Sequence, residues 1–299
     1  MSFNKIFLVY NPTSGIQKAK KKAKRIKRAL YNLDVECEII KTATGEEDKQ
    51  CADKIKHSVN PLVVVLGGDG TLGSVISALI SNGVDCCFAT YPCGTANDFA
   101  MAGHIPKSIK KFVKFLLNAK SKKVDVMLVN NQKYAINAVG AGNFSNGVTN
   151  YSVKLKKYFG LFGYYFKCIK EFFHLKSALL TYKTECETFS AETYLYYFVN
   201  SKRAGGFNKI APRAEIDDGL SELIIVKRCS RWACIKVFFD ILRGKPEKNK
   251  NIITKKVQMA EVSGGENSEK FAVCDIDGFK GFDGKLSVQI EKQKIDFLI

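Results

Sequence analysis

The chain has 299 residues, 46% of them hydrophobic, and carries 47 Lys+Arg against 29 Asp+Glu for a net charge of +18. That length and apolar fraction supply a sizeable core with room for two domains and exclude wholesale disorder. No stretch nears the ~18 apolar residues of a membrane span, and ten cysteines without a Cys-x-x-Cys pair argue against zinc and for a reducing cytoplasm. The N-terminus shows no signal-peptide cleavage pattern. A charge excess of this size implies an anionic partner: nucleic acid, an anionic membrane surface or phosphorylated small molecules. No zinc finger, RNA-binding aromatic signature or arginine-rich base-reading segment accompanies it, so a membrane surface ranks above nucleic acid.

The first predicted strand is Ile6–Tyr10, and a helix follows over 16–32 with the run Lys18 to Arg28 on its outer face. A strand over Val35–Lys41 and a helix over 46–59 come next. Leu62–Leu66 is short, β-branched and continuous, as a strand buried on both faces should be. It runs into Gly67-Gly68-Asp69-Gly70-Thr71. Beyond that turn Leu72, Val75, Ile76, Leu79 and Ile80 fall on one helical face, with Thr71 as N-cap and Gly83 as stop. Three glycines at a strand-to-helix turn let the backbone approach a ligand, and the helix N-terminus behind them favours an anion, above all phosphate. An acid in that turn suits a metal, a sugar hydroxyl or a reacting group; the plainer alternative makes Asp69 a cap. The strand Cys86–Thr90 and a helix over 106–118 complete the pattern. Alternating strands and helices predict a doubly wound parallel sheet. Its ligand-facing loops at the strand carboxyl ends are then 11–15, 42–45, 67–71 and 92–97.

After about residue 126 the pattern changes to strands with few helices: Tyr134–Val139, Ala178–Lys183, Tyr194–Asn200, Leu223–Lys227, Val257–Val262, Phe271–Asp275 and Leu286–Ile290. This reads as an antiparallel, β-sandwich-like domain interrupted by helices near 154–175 and 230–243. The predicted division is 1–125, with 293–299 a candidate to rejoin it, and 126–292. From Lys154 to Lys176 aromatics alternate with lysines, which suits a membrane interface or a core-covering helix.

Read together, the loops resemble a known family. Asn11-Pro12-Thr13-Ser14-Gly15, the Gly67–Thr71 turn and Pro92-Cys93-Gly94-Thr95-Ala96-Asn97-Asp98-Phe99-Ala100 are similar to three motifs of the diacylglycerol kinase catalytic-domain family. Gly205-Gly206-Phe207 and Ala211 to Leu220, ending Asp217-Asp218-Gly219-Leu220, resemble two more. The glycine turn alone is shared with NAD kinases; the third motif separates them. The resemblance implies a nucleotide-binding first domain and a lipid-substrate second domain. It implies ATP binding at Asn11, Pro12, Thr13, Ser14, Gly15, Thr42, Gly67, Gly68, Asp69, Gly70, Thr71, Leu72, Gly73 and Thr95. It also implies Mg²⁺, with Asp69 catalytic and Asp98 and Asp125 in an acidic network; as alternatives, Asp98 caps a turn and Asp125 opens a strand. A loop metal site at Glu215, Asp218 and Leu220 is implied as well.

One departure stands out. The family's Asp-Gly-Glu, whose glutamate is thought to accept the lipid proton, is here Asp277-Gly278-Phe279. A phenyl ring accepts no proton, which leaves Asp275, Asp277 and Asp283 as substitutes. The implied function is an ATP-dependent lipid kinase of phospholipid metabolism with a diacylglycerol-like acceptor. It would be cytoplasmic and peripherally attached to an anionic membrane, without nucleic acid, and with a homodimer left open. The first alternative is a nucleotide- and lipid-binding protein of the same fold with little catalysis; an NAD-kinase-like enzyme ranks below both.

Overall fold

The computed structural model describes residues 3–12, 18–42, 45–143, 175–264, 271 and 273–299. The chain divides into two compact units, Met1–Val124 with Gln293–Ile299, and Asp125–Lys292.

The first unit is built of β1 (Lys5–Tyr10), α1 (Ala19–Tyr31), β2 (Cys37–Lys41), α2 (Gly45–Ile55), β3 (Pro61–Gly67), α3 (Asp69–Ser81), β4 (Cys87–Pro92), α4 (Asp98–Ala102) and α5 (Ile109–Asn118). The strands run parallel in the order β2-β1-β3-β4, in registers such as Val9↔Ile40, Val9↔Val65 and Val64↔Ala89. The C-terminal end of β15 (Leu286–Leu298) adds a further parallel strand through Asp296↔Cys87 and Phe297↔Phe88. Every residue of β3 is buried, which is why its sequence lacks polar alternation. On α1 the buried residues Ala19, Ala23, Ile26 and Leu30 recur every three to four positions. They share one core with Ile6, Leu8, Val64 and Leu66 of the strand layer and with Phe112 and Leu116 of α5. The lysines of α1 are left on the outer side. The helix predicted over 106–118 begins only at Ile109, and α4, five residues long, is absent from the periodicity because it is too short to show one.

The second unit comprises β5 (Ser121–Val129, entering from the first unit), β6 (Lys133–Ala135), β7 (Ala138–Gly142), β8 (Ala178–Thr184), β9 (Thr188–Val199), β10 (Ser221–Lys227), α6 (Arg231–Leu242), β11 (Ile252–Val257), β12 (Met259–Gly264), β13 (Val273–Ile276), β14 (Phe279–Asp283) and the start of β15. The main order is β14-β13-β7-β9-β8-β12-β15, with β10 between β9 and β11 and β5 between β6 and β15. Tyr182, Tyr196, Phe198, Leu223, Ile225, Val262 and Val288 fill one core. Ile224, Val226, Val237, Ile241 and Ile252 form a second, under α6.

Two predicted strands are each split by a carboxylate that takes the backbone amides. Tyr134–Val139 breaks where Ile136 and Asn137 donate to Asp277 (2.8 and 2.9 Å). Val257–Val262 breaks at Gln258, whose amide donates to Glu185 (2.9 Å). Most of the segment read as a membrane-facing helix, 154–174, lies outside the described residues. Among the described residues no helix is long and apolar enough to cross a membrane.

Candidate functional site

In the first unit the turns after β3 and β4 are clamped together. The Gly67 carbonyl accepts from the amides of Cys93 (2.8 Å) and Gly94 (3.2 Å). Gly68, not Thr71, is the N-cap of α3, and Leu72 donates the first intrahelical bond to it (3.0 Å). Thr71 and Leu72 turn inward and are buried. The first-turn amides have no intrahelical acceptor, so this end of α3 carries partial positive charge. A Cβ on Gly94 would stand 2.5 Å from the Gly68 Cα, and one on Gly68 would stand 3.2 Å from the Gly94 Cα. Glycine at both positions is therefore demanded by backbone-to-backbone contact between the two turns, a reason the sequence alone does not display.

Asp69 holds the same two segments together. Its carboxylate accepts from the amides of Asp98 (2.9 Å) and Phe99 (3.0 Å), so it caps α4 from 29 residues away in sequence. Asp69 is thus a cap, as the plainer reading has it, at the same turn where the resemblance implies a catalytic acid. An acid oriented in this way suits a magnesium ion that retains its own waters. Asn97, at φ 52°, closes the turn by accepting from the Gly94 amide (2.6 Å) and donating to the Gly94 carbonyl (2.8 Å). Thr95 stands exposed at the tip, while Asp98 is buried as the first residue of α4.

Thr42, just past β2, donates through its hydroxyl to Asp48 of α2, and Ser74 of α3 donates to the other Asp48 oxygen. Asp48 is buried, 5% exposed, and fixes three elements of the site. Sequence reading missed it, since Gly45-Glu46-Glu47-Asp48 looks like the acidic first turn of any surface helix. Asn11 is buried at the end of β1. Thr13, Ser14 and Gly15 lie outside the described residues.

The remaining candidates belong to the second unit. Asp125 is fully buried and accepts from the Gly219 amide (2.6 Å), anchoring the Asp217–Leu220 loop. Asp218 accepts from the Leu220 amide (3.0 Å) and pairs with the Lys256 ammonium (2.7 Å). Lys256 thus partly offsets its charge, and among the described residues no group of three or more His, Cys, Asp or Glu is clustered as metal ligands. At the loop metal site that the resemblance implies, Asp218 with the carbonyls of Glu215 and Leu220, the carboxylate is held by Lys256. Asn137, Asn200 and Ser201, none of them anticipated, form a buried network: Ser201 donates to Asn137 (2.6 Å), and Asn200 donates to the carbonyls of Asp125 (2.9 Å) and Ile136 (3.0 Å). The only signal in sequence was a polar pair ending an apolar strand.

Asp277 and Gly278 are the two residues of the hairpin turn between β13 and β14, at φ 52° and 90°. That is the Asp-Gly turn whose twist matches the flanking strands. The Asp277 carboxylate accepts from the amides of Ile136, Asn137 and Ala138, at 2.8 to 2.9 Å. Three amides stabilise its charged form and take three of its roughly four acceptor sites, which weighs against the expectation that Asp277 can stand in as a base. Asp283 is exposed at the far end of β14. Asp275 differs from both. One of its oxygens accepts from the Gly278 amide (2.8 Å), and the other is buried without a hydrogen-bond partner. Burial, reinforced by the Asp277 charge, pushes its carboxyl up to about 7 against the pull of the Gly278 amide. Phe279 opens β14 with 43% of its surface exposed.

Residues 5–129 match the family "Diacylglycerol kinase catalytic domain", and residues 137–291 match "YegS C-terminal NAD kinase beta sandwich-like domain". A diacylglycerol kinase of Bacillus subtilis (strain 168) is 28% identical over 263 residues, covering 88% of this chain and 86% of that protein. One from Staphylococcus aureus (strain bovine RF122 / ET3-1) is 29% identical over 261 residues, covering 86% and 81%. The crystal structure of a diacylglycerol kinase from Bacillus anthracis str. Sterne superposes with a TM-score of 0.78 at 21% identity, over 100% of this chain and 98% of that one.

Proposed function

The chain belongs to the diacylglycerol kinase catalytic-domain family with a YegS-type C-terminal domain, and from that premise we propose that it transfers the γ-phosphoryl group of ATP to the hydroxyl of a diacylglycerol-like lipid. The observation that carries this reading is the clamp of the first unit. Gly68 and Gly94 meet backbone to backbone, and Asp69 ties both turns to α4 at the strand carboxyl ends. In the proposed mechanism the first-turn amides of α3 and the exposed Thr95 hydroxyl bind phosphate oxygens. Asp69, fixed by two amides, would be the residue that holds the magnesium accompanying the nucleotide. Bound Mg²⁺ supplies charge neutralisation on the phosphates. Catalysis is then mainly positioning and electrostatics. The membrane partner is an anionic surface, in keeping with the net charge of +18.

Radiolabelled ATP with mixed micelles of diacylglycerol, ceramide, sphingosine and monoacylglycerol, and with NAD as a soluble acceptor, tests the reading. Label is expected in a lipid and not in NAD, and Asp69→Ala is expected to lose it. Label appearing only in NAD would overturn the lipid assignment. A second reading, binding with little catalysis, is supported by Phe279, which stands where the resemblance places the family's glutamate.

The clamp gives a separate prediction. Gly94→Ala, or Gly68→Val, forces the two turns apart, an overpacking that costs about 1–3 kcal/mol. Expressed as nucleotide affinity, that is a loss of about 10- to 100-fold by calorimetry. Unaltered ATP affinity in both variants would sink the nucleotide site assigned to these turns.

A further inference from the structure

We infer that the outward face of α6 is a docking surface for the anionic headgroups of a phospholipid bilayer. It deepens the lipid side of the proposed function, on which it rests for its membrane, but draws on no residue of the nucleotide site.

Sequence reading gave this segment only as a helical insertion, because apolar residues occur all round it. The fold sorts them. Cys234, Val237, Phe238 and Ile241 are buried against the second unit. Trp232 is 83% exposed, Phe239 47% and Leu242 38%. Trp232, Lys236, Phe239 and Arg243 follow one another at steps of four, three and four residues, so they line a single stripe opposite the buried one. The stripe runs for ~16 Å at 1.5 Å per residue. The Arg243 guanidinium lies over the Phe239 ring, 6.0 Å from its centroid.

An exposed tryptophan beside an exposed phenylalanine marks an interaction surface. The chemistry of the stripe selects the partner. Lysine is depleted from the dry centre of protein–protein interfaces, where its ammonium would lose its water. Here Lys236 and Arg243 alternate with the rings within the stripe. At a bilayer surface that arrangement carries no such cost. Rings settle at headgroup depth while long cationic side chains keep their charged ends among phosphates and water. Charge complementarity extends beyond the stripe: Arg231, Lys245, Lys248 and Lys250 are exposed as well, against Glu247 and an Asp240 engaged by Asn249 (2.7 Å). Helix α1 is more basic, but its one aromatic ring, the exposed Tyr31, stands at its last residue beyond the run Lys20 to Arg28, not interleaved with the cations.

Trp232 is the sole tryptophan of the chain, so its emission reports on this face alone. The experiment adds phosphatidylglycerol/phosphatidylcholine vesicles, or phosphatidylcholine vesicles, to the full chain without nucleotide. A blue shift with the anionic vesicles, reversed by high salt and quenched by headgroup-proximal brominated lipid, is the expected result. Trp232→Ala with Phe239→Ala should weaken co-sedimentation at least ~10-fold through lost apolar burial. Lys236→Glu with Arg243→Glu should do the same through charge. None of these side chains is part of the buried face, so folding, checked by circular dichroism, is retained. Absent binding, or binding with unshifted emission, overturns the inference. So does equal binding to neutral vesicles. A blue shift that grows with protein concentration in the absence of vesicles also overturns it, since a second copy then covers the face. None of these results depends on kinase turnover, so failure here and failure of the phosphotransfer reading are distinguishable.

Discussion

The Phe279→Glu variant is expected to phosphorylate lipid about 10²-fold faster than wild type, the lower part of the range for adding a positioned general base. Phe279 stands where the resemblance places the family's glutamate, directly after the Asp277-Gly278 turn and at the start of β14. The turn holds that position rigidly, because the Asp277 amide also donates to the Ala138 carbonyl (2.8 Å). The side chain is 43% exposed, so a carboxylate there remains partly hydrated and folding is not penalised. ATP affinity should be unchanged, since no nucleotide-binding residue of the first unit is altered. The measurement is initial rate in the mixed-micelle assay as a function of pH. A wild type already working at ~1–100 s⁻¹ would mean that another group takes the proton. Asp275 is then the acceptor to remove first: it is the acid of this segment with a buried, unpartnered oxygen. Its carboxyl, pushed up to about 7, would give the wild-type rate an acidic limb near that pH. Neither protein phosphorylating any lipid would leave binding without catalysis as the function.

Asp277→Ala is expected to destabilise the second unit by about 4 kcal/mol or more, against a domain stability of about 5–15 kcal/mol. Three amides, those of Ile136, Asn137 and Ala138, would lose a charged acceptor at once. Each buried donor left unsatisfied costs about 1–3 kcal/mol. Alanine at φ 52° adds strain that aspartate tolerates better. Asp277→Asn should be milder, since its amide oxygen still accepts and asparagine tolerates the same φ. Urea unfolding followed by circular dichroism measures both. An alanine variant with an unmoved midpoint would show that Asp277 is not structural, and would return it to the list of candidate bases.

Asp277 also shows where sequence reading ends. Local pattern determined the doubly wound parallel sheet, the strand-to-helix turn at Gly67–Thr71 and the change to antiparallel strands after residue 126. Each of these rests on interactions among near neighbours: the all-apolar run of β3, the three-to-four spacing on α3, the glycines of one turn. The motif order in those loops was enough to mark the family. Tertiary structure alone decided what the acids do. Asp69 caps a helix 29 residues away, Asp125 takes the amide of Gly219 in the loop before β10, and Asp218 of that same loop pairs with Lys256 of β11. A carboxylate looks the same in sequence whether amides, an ammonium or water surround it, and its surroundings come from segments far along the chain. The same holds for α6, whose apolar residues divide into a core face and an outward face only once the second unit supplies something for half of them to pack against.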